Sequence, residues 1–358
     1  MSKDARRLAE ALHRETEGNP FFIGEVLRHL AESGTLVPHD GGWRVMAGSI
    51  AELGIPEGVR EVIGRRLSRL SDQAHDVLGQ AAVLGREFDV SLLQRVTQVG
   101  ADEVDAAIEE AEAAQVIEAM GKGERYRFAH ALVRETLYAE MSARRRVRLH
   151  RQVGEALEAQ YARNPEAHLP ELAHHFLEGL AGVDAQKAVD YARRAAEQAM
   201  HKYAYESAVR HDEAGLALLA EAGQNEPALC CDLLLALARA LNEAGEPRRV
   251  LDGVAVEAFE LAEALDDAER AGRACEQAWS ALFYEGAAGA LGTPEAEAWA
   301  ERAARWARPG TAEQVRADLL GAGPRWSSGD QRGAVALATR ALEAARRMSD
   351  PDLRWTTA

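Results

Sequence analysis

From about residue 146 to residue 358 the chain reads as helical segments of 12–18 residues, parted by short polar or glycine-bearing turns. Such a chain has few ways to bury its apolar stripes: each helix packs on the next, and the pairs stack in order. A faint internal repeat supports that arrangement. Ala296, Ala300 and Ala303 hold a spacing that Ala334, Ala338 and Ala341 reproduce 38 residues later. The triplets follow breaks, Gly292-Thr293-Pro294 and Gly329-Asp330. Small residues at these places let the second helix of a pair lie close to its partner. Ala208 starts a similar set, with Asp212 and Gly215 in the next two places. The pattern predicts an α-solenoid of antiparallel helix pairs.

The N-terminal part is punctuated differently. Residues 4–16 read as a helix, broken by Gly18-Asn19-Pro20. Asn19 suits the cap of the next helix and Pro20 its first turn. That helix carries Phe22, Ile23, Val26, Leu27 and Leu30 at three-to-four spacing and stops at Gly34. Leu36-Val37 and Trp43-Arg44-Val45 flank a polar turn, which predicts a short hairpin. Helices follow over the stretch after Pro56, from Ser71-Asp72 onward, at 89–97 and at 102–114. Val116-Ile117-Glu118-Ala119 and Tyr126-Arg127-Phe128 then flank Gly121-Lys122-Gly123 as two strands of a wing. Helices followed by a two-stranded wing are the order of a winged helix, a helix-turn-helix variant. The fold class expected is mainly α, with one small β-hairpin wing ahead of a solenoid.

Several function classes are excluded or disfavoured. No Gly-x-x-x-x-Gly-Lys-Ser/Thr loop is present: the single Gly-Lys pair, Gly121-Lys122, is followed by Gly123 where a hydroxyl is needed. Nucleophile-elbow and His-Glu-x-x-His patterns are missing as well, so no enzyme activity is expected of this chain. The three cysteines, Cys230, Cys231 and Cys275, cannot build a disulfide framework, and the Cys230-Cys231 run among leucines reads as buried thiols. His168, His174 and His175 invite a metal reading. Adjacent helical residues point about 100° apart, however, and no metal site is expected. No apolar run approaches the roughly 18 residues of a membrane span, and the first residues lack a secretory apolar core, so a cytoplasmic protein is expected.

The one strongly basic run is Arg144, Arg145, Arg146, Arg148 and Arg151. It follows the wing instead of lying in the recognition helix, here read as Asp89 to Gln98, which offers mainly Gln94 and Arg95 to bases. The net charge of −16 opposes a nucleic-acid duplex. Direct DNA binding is therefore disfavoured, and the run is expected to pair with acids of neighbouring helices at a domain junction. Tyr191, Tyr203 and Tyr205 fall on the repeats as core or groove-lining residues.

Four segments carry a family resemblance. Glu17-Gly18-Asn19-Pro20-Phe21-Phe22-Ile23-Gly24-Glu25-Val26-Leu27 resembles the lid-helix motif of signal-transduction ATPases with numerous domains, the STAND branch of the AAA-like ATPases. Ile55-Pro56-Glu57-Gly58-Val59-Arg60-Glu61-Val62-Ile63, with Arg65-Arg66-Leu67, is similar to the start of their winged-helix domain. Tyr126-Arg127-Phe128-Ala129-His130-Ala131-Leu132-Val133-Arg134-Glu135 resembles the segment that closes it. Glu171-Leu172-Ala173-His174-His175-Phe176 resembles the start of the helical-repeat sensor.

The resemblance implies a helical lid remnant at 1–34, a winged helix at 35–145 and tetratricopeptide-like repeats at 146–358. It implies a nucleotide switch in which Gly18 and Pro20 form the adenine-facing lid turn and His130 reaches the ADP phosphate. The family's P-loop lies upstream of these elements. ATP or ADP with Mg is thus expected only in an intact parent with an upstream ATPase domain, and no cofactor in this chain alone. The chain is then the non-catalytic regulatory portion of such an ATPase, in signal transduction or transcription control. A protein or small-molecule inducer would bind its repeats. A free-standing interaction scaffold and the regulatory part of a class III adenylate or guanylate cyclase remain the alternatives.

Overall fold

The computed structural model describes residues 67–97, 99–121, 124–179, 185–223, 226–286, 290 and 292–348, the strand residues 36–39 and 42–45, and positions 13, 23, 24 and 27. The lid turn with Gly18 and Pro20, the remaining positions of the 1–34 segment and residues 46–66 lie outside them. The chain divides into two compact units, Met1–Arg163 and Asn164–Ala358.

In the first unit the expected hairpin is present. Strands β1 (Leu36–His39) and β2 (Gly42–Val45) pair antiparallel, with Leu36 opposite Val45 and His39 opposite Gly42. Helix α1 (Asp72–Leu84) starts where Ser71 Oγ accepts the Ala74 N–H at 3.2 Å. It ends at Gly85, whose φ of 138° a side chain would rarely adopt. Strand β3 (Glu87–Asp89) follows, and Asp89 caps α2 (Val90–Val96) by accepting from the Ser91 and Leu92 N–H groups. Next come α3 (Ala101–Ala113), β4 (Ile117–Met120) and β5 (Arg125–Phe128). The three strands form one antiparallel sheet in the order β3-β5-β4.

The order is helix, strand, helix, helix, strand, strand, with β3 added where the sequence pattern shows only the start of a helix. Phe88 from β3 and Phe128 from β5 meet at 5.5 Å between ring centroids. They join Leu78, Leu93, Val104, Ile117, Leu132 and Leu137 in one core. Each such side chain contributes roughly 1.5–3 kcal/mol by leaving water.

Helix α4 (Ala131–Glu140) lies on α1, where Arg134 Nε donates to the Ala82 carbonyl at 2.9 Å. Helix α5 (Ala143–Gln160) packs on α1 and α2, with Tyr138 Oη and His150 Nε2 at 2.9 Å. That packing carries the first unit to Arg163, past the boundary at 145 read from the sequence.

The second unit is helical throughout its described residues. A short 3-10 turn (Pro165–His168) precedes α6 (Leu169–Gly179), α7 (Ala185–His201), α8 (Tyr205–Ala222) and α9 (Pro227–Glu243). Helix α10 runs from Pro247–Arg249 through a π-helical turn, Val250–Val254, into Ala255–Ala264. Then follow α11 (Ala268–Gly286), α12 (Pro294–Trp306), α13 (Ala312–Ser327) and α14 (Gln331–Arg347). Consecutive helices pack together, and α9, α11 and α13 also meet in succession, as in a solenoid of hairpins α7/α8, α9/α10, α11/α12 and α13/α14.

Each hairpin after the first lays arginines on acids of the one before: Arg249 on Glu213, Arg270 on Asp232 (2.8 Å), Arg305 on Glu263 (3.1 Å) and Arg316 on Glu276 (2.9 Å). Exposed pairs of this kind contribute about 0–1 kcal/mol each, so they set register more than stability.

The alanine seam is largely as expected. Ala296, Ala303, Ala334 and Ala341 are buried and Ala300 is half-buried, but Ala338 is exposed. Ala208, Asp212 and Gly215 are all buried on α8, so the third, degenerate set is a seam as well. A methyl at Gly215 would sit 3.8 Å from both Ala192 and Leu233, which places this seam between α7 and α9.

Candidate functional site

His130 stands at the junction between β5 and α4 and is 5% exposed. Its backbone is extended, and its Nδ1 accepts the Leu132 N–H at 3.1 Å, so the imidazole is the N-cap of α4. A ring nitrogen that accepts carries no proton. In the neutral ring the proton therefore sits on Nε2, which becomes a donor. The structure thus assigns His130 a capping role that the sequence motif did not reveal. Gly18 and Pro20 lie outside the described residues, so the lid turn cannot be placed beside it.

The basic run falls on the first three turns of α5. Arg145 pairs with Asp76 of α1 at 2.5 Å, Arg146 lies over the Tyr138 ring at 5.1 Å, and Arg151 pairs with Glu155 one turn on at 2.9 Å. Arg144 and Arg148 are exposed. The helix preceding the wing is α3 and not the 89–98 segment taken as the recognition helix. Along α3 stand Asp102, Glu103, Asp105, Glu109, Glu110 and Glu112, without a basic residue. The wing arginines are engaged too, Arg125 with Glu87 at 3.1 Å and Arg127 with Glu118 at 2.8 Å. A face of this charge repels phosphates.

On the solenoid the three tyrosines separate. Tyr191 is buried and stacks on Phe176 at 5.0 Å. Tyr203 is 79% exposed and meets the half-buried Tyr205 edge-on at 6.2 Å. Phe283 and Tyr284, which the sequence reading passed over, are both about half exposed at the end of α11. Tyr284 Oη donates to Glu243 at 3.3 Å. Burial and the charge of Glu243 raise the Tyr284 hydroxyl's pKa.

Two of the three thiols are buried, Cys231 and Cys275, while Cys230, expected to be buried with its neighbour, is only half-buried. Burial pushes Cys231 up to about 11 and Cys275 up to about 12, and Cys231 Sγ donates to the Ala258 carbonyl at 3.3 Å. His168 faces Glu171 at 3.8 Å, while His174 is exposed and its neighbour His175 is buried. No helix among the described residues is long and apolar enough to cross a membrane.

No protein-family model and no curated protein matches the chain. Among solved structures it is similar to the crystal structure of a Signal Transduction ATPase with Numerous Domains (STAND) protein with a tetratricopeptide repeat sensor, from Pyrococcus horikoshii. The identity is 16%, over 97% of this chain and 52% of that one, with a TM-score of 0.30. The chain thus spans about half the length of that protein. At this level of likeness, function is argued from the chain's own residues.

Proposed function

We propose that this chain is the non-catalytic, regulatory and sensing portion of a STAND-type ATPase, with its hairpins receiving a protein or small-molecule inducer and the module before them answering to nucleotide. The observation that carries the reading is His130. It follows β5 and caps α4 through Nδ1. In the intact parent, the imidazole would stand at the ADP phosphate, and Gly18 and Pro20 would form the adenine-facing turn. A solenoid in the same chain supplies the surface through which a ligand could bias that contact.

The test is a thermal shift of the whole chain with ADP. A small upward shift is expected in the wild type. His130→Asn keeps an N-cap oxygen and removes the imidazole, so it should melt near the wild type yet lose the shift. His130→Ala should also lose about 1 kcal/mol of stability with the cap. Equal ADP shifts in wild type and His130→Asn would sink the nucleotide role and leave the scaffold reading. ATP turnover by this chain alone is expected to be nil, since no phosphate loop is present.

A further inference from the structure

Four turns of the solenoid share one geometry: a helix end, a residue, a second residue with positive φ, a third, and the next helix. They are 202–204, 244–246, 265–267 and 328–330. In two of them the positive-φ residue is glycine, Gly245 (φ 79°) and Gly329 (φ 90°). In a third it is Asp266 (φ 54°), a short polar residue that tolerates the left-handed region. In the fourth it is Tyr203 (φ 59°), a bulky ring in a conformation that disfavours it. No burial offsets that cost, because Tyr203 is 79% exposed. Folding alone gives no reason for a tyrosine there.

The surroundings show what the ring could meet. Tyr205 stands edge-on beside it. Gly215 faces Ala192 of α7 and Leu233 of α9 at the same 3.8 Å, so the two helices run level and the end of α9, with Glu243, comes to the same edge as Tyr203; Tyr284 joins it from α11 through its bond to Glu243. Glu243 is exposed and holds the Tyr284 hydroxyl, and Glu206 is exposed next to Tyr205. The nearby cations are engaged: Arg248 lies among Asp252, Glu285 and Glu295, and Lys202 donates to Gln198 at 2.8 Å. Exposed ring faces rimmed by carboxylates attract guanidinium and ammonium groups, whose alkyl stems pack on the rings.

We propose that Tyr203, Tyr205 and Tyr284, with Glu206 and Glu243, form a docking surface for an extended arginine- or lysine-bearing segment of a partner protein. This deepens the sensor reading, on which it rests, by placing the inducer's contact at one edge of the hairpins.

The test uses the whole chain and a short fluorescent peptide of alternating arginine and serine, with a glutamate–serine peptide as control. Fluorescence anisotropy should show binding of the arginine peptide only. Tyr203→Gly should weaken it about threefold or more and raise the melting temperature by about 2 °C, because glycine relieves the turn. Tyr284→Ala and Glu243→Gln should weaken it as well. Unchanged affinity in all three variants would mean attraction to the net negative charge alone, and would overturn the proposal, as would no binding. Neither result touches the ADP shift of His130, so failure here is distinct from failure of the sensor reading.

Discussion

Asp212 is a carboxylate in a place built for a small residue. It lies 1% exposed in the seam of α8, and its Oδ1 has no hydrogen-bond partner. Burial pushes its pKa up to about 7, against a smaller downward pull from Arg193 on α7. An unfolded aspartate titrates near 3.9, so the folded chain holds an extra proton between about pH 4 and pH 7. The contribution of Asp212 to stability is therefore fully present below about pH 4, is lost as pH rises towards 7, and levels off above it. A difference of about 3 in pKa corresponds to ~4 kcal/mol across that window.

Replacing Asp212 by Asn removes the charge and keeps the shape. At pH 8 the variant should exceed the wild type by a few kcal/mol, less whatever the amide loses to unmade hydrogen bonds. At pH 4 the advantage should vanish. Urea unfolding can be followed by tryptophan fluorescence, since Trp299 is buried in the same unit. Background titration of other carboxylates cancels in the difference between variant and wild type. Parallel stability curves from pH 5 to pH 8 would refute the account of Asp212 as a buried, uncompensated acid.

Two further outcomes follow from the same packing. Asp318 is 3% exposed and accepts from Gln314 and Arg340, so Arg340→Ala should cost about 1–3 kcal/mol in chemical denaturation by stranding a buried carboxylate. Asp318→Asn combined with Arg340→Ala should recover part of that loss. Cys231 and Cys275 should resist a thiol reagent at pH 8 in the folded protein and react fully in denaturant, because the thiolate is the reactive form and burial raises both pKa values.

Local signals in the chain carried a large share of the architecture. The hairpin at 36–45, the strands flanking Gly121-Lys122-Gly123 and the run of helices after residue 146 follow from spacing and turn residues. The alanine seam was visible because small residues recur at helical spacing. Strand β3 was not visible, since three residues are too few to alternate and their partner, β5, lies far along the chain. The helix at 102–114 was legible and stands before β4, while the recognition label had been put on the shorter 89–98 segment.

Of the candidate site, the sequence could point to His130 but not to its work. That Nδ1 caps α4 depends on a backbone angle and a distance of 3.1 Å. The arginine run was legible as charge, yet only packing brought Arg145 to Asp76.

By itself, then, the order of residues determined the helical class, the wing and the stack of hairpins, because periodicity and punctuation act over one or two turns. Tertiary structure alone decided that Asp212 lies in a seam, that Tyr203 occupies a turn shaped for glycine, and that α5 belongs with the first unit. Each of these depends on how distant segments meet, and burial and backbone strain arise only from that meeting.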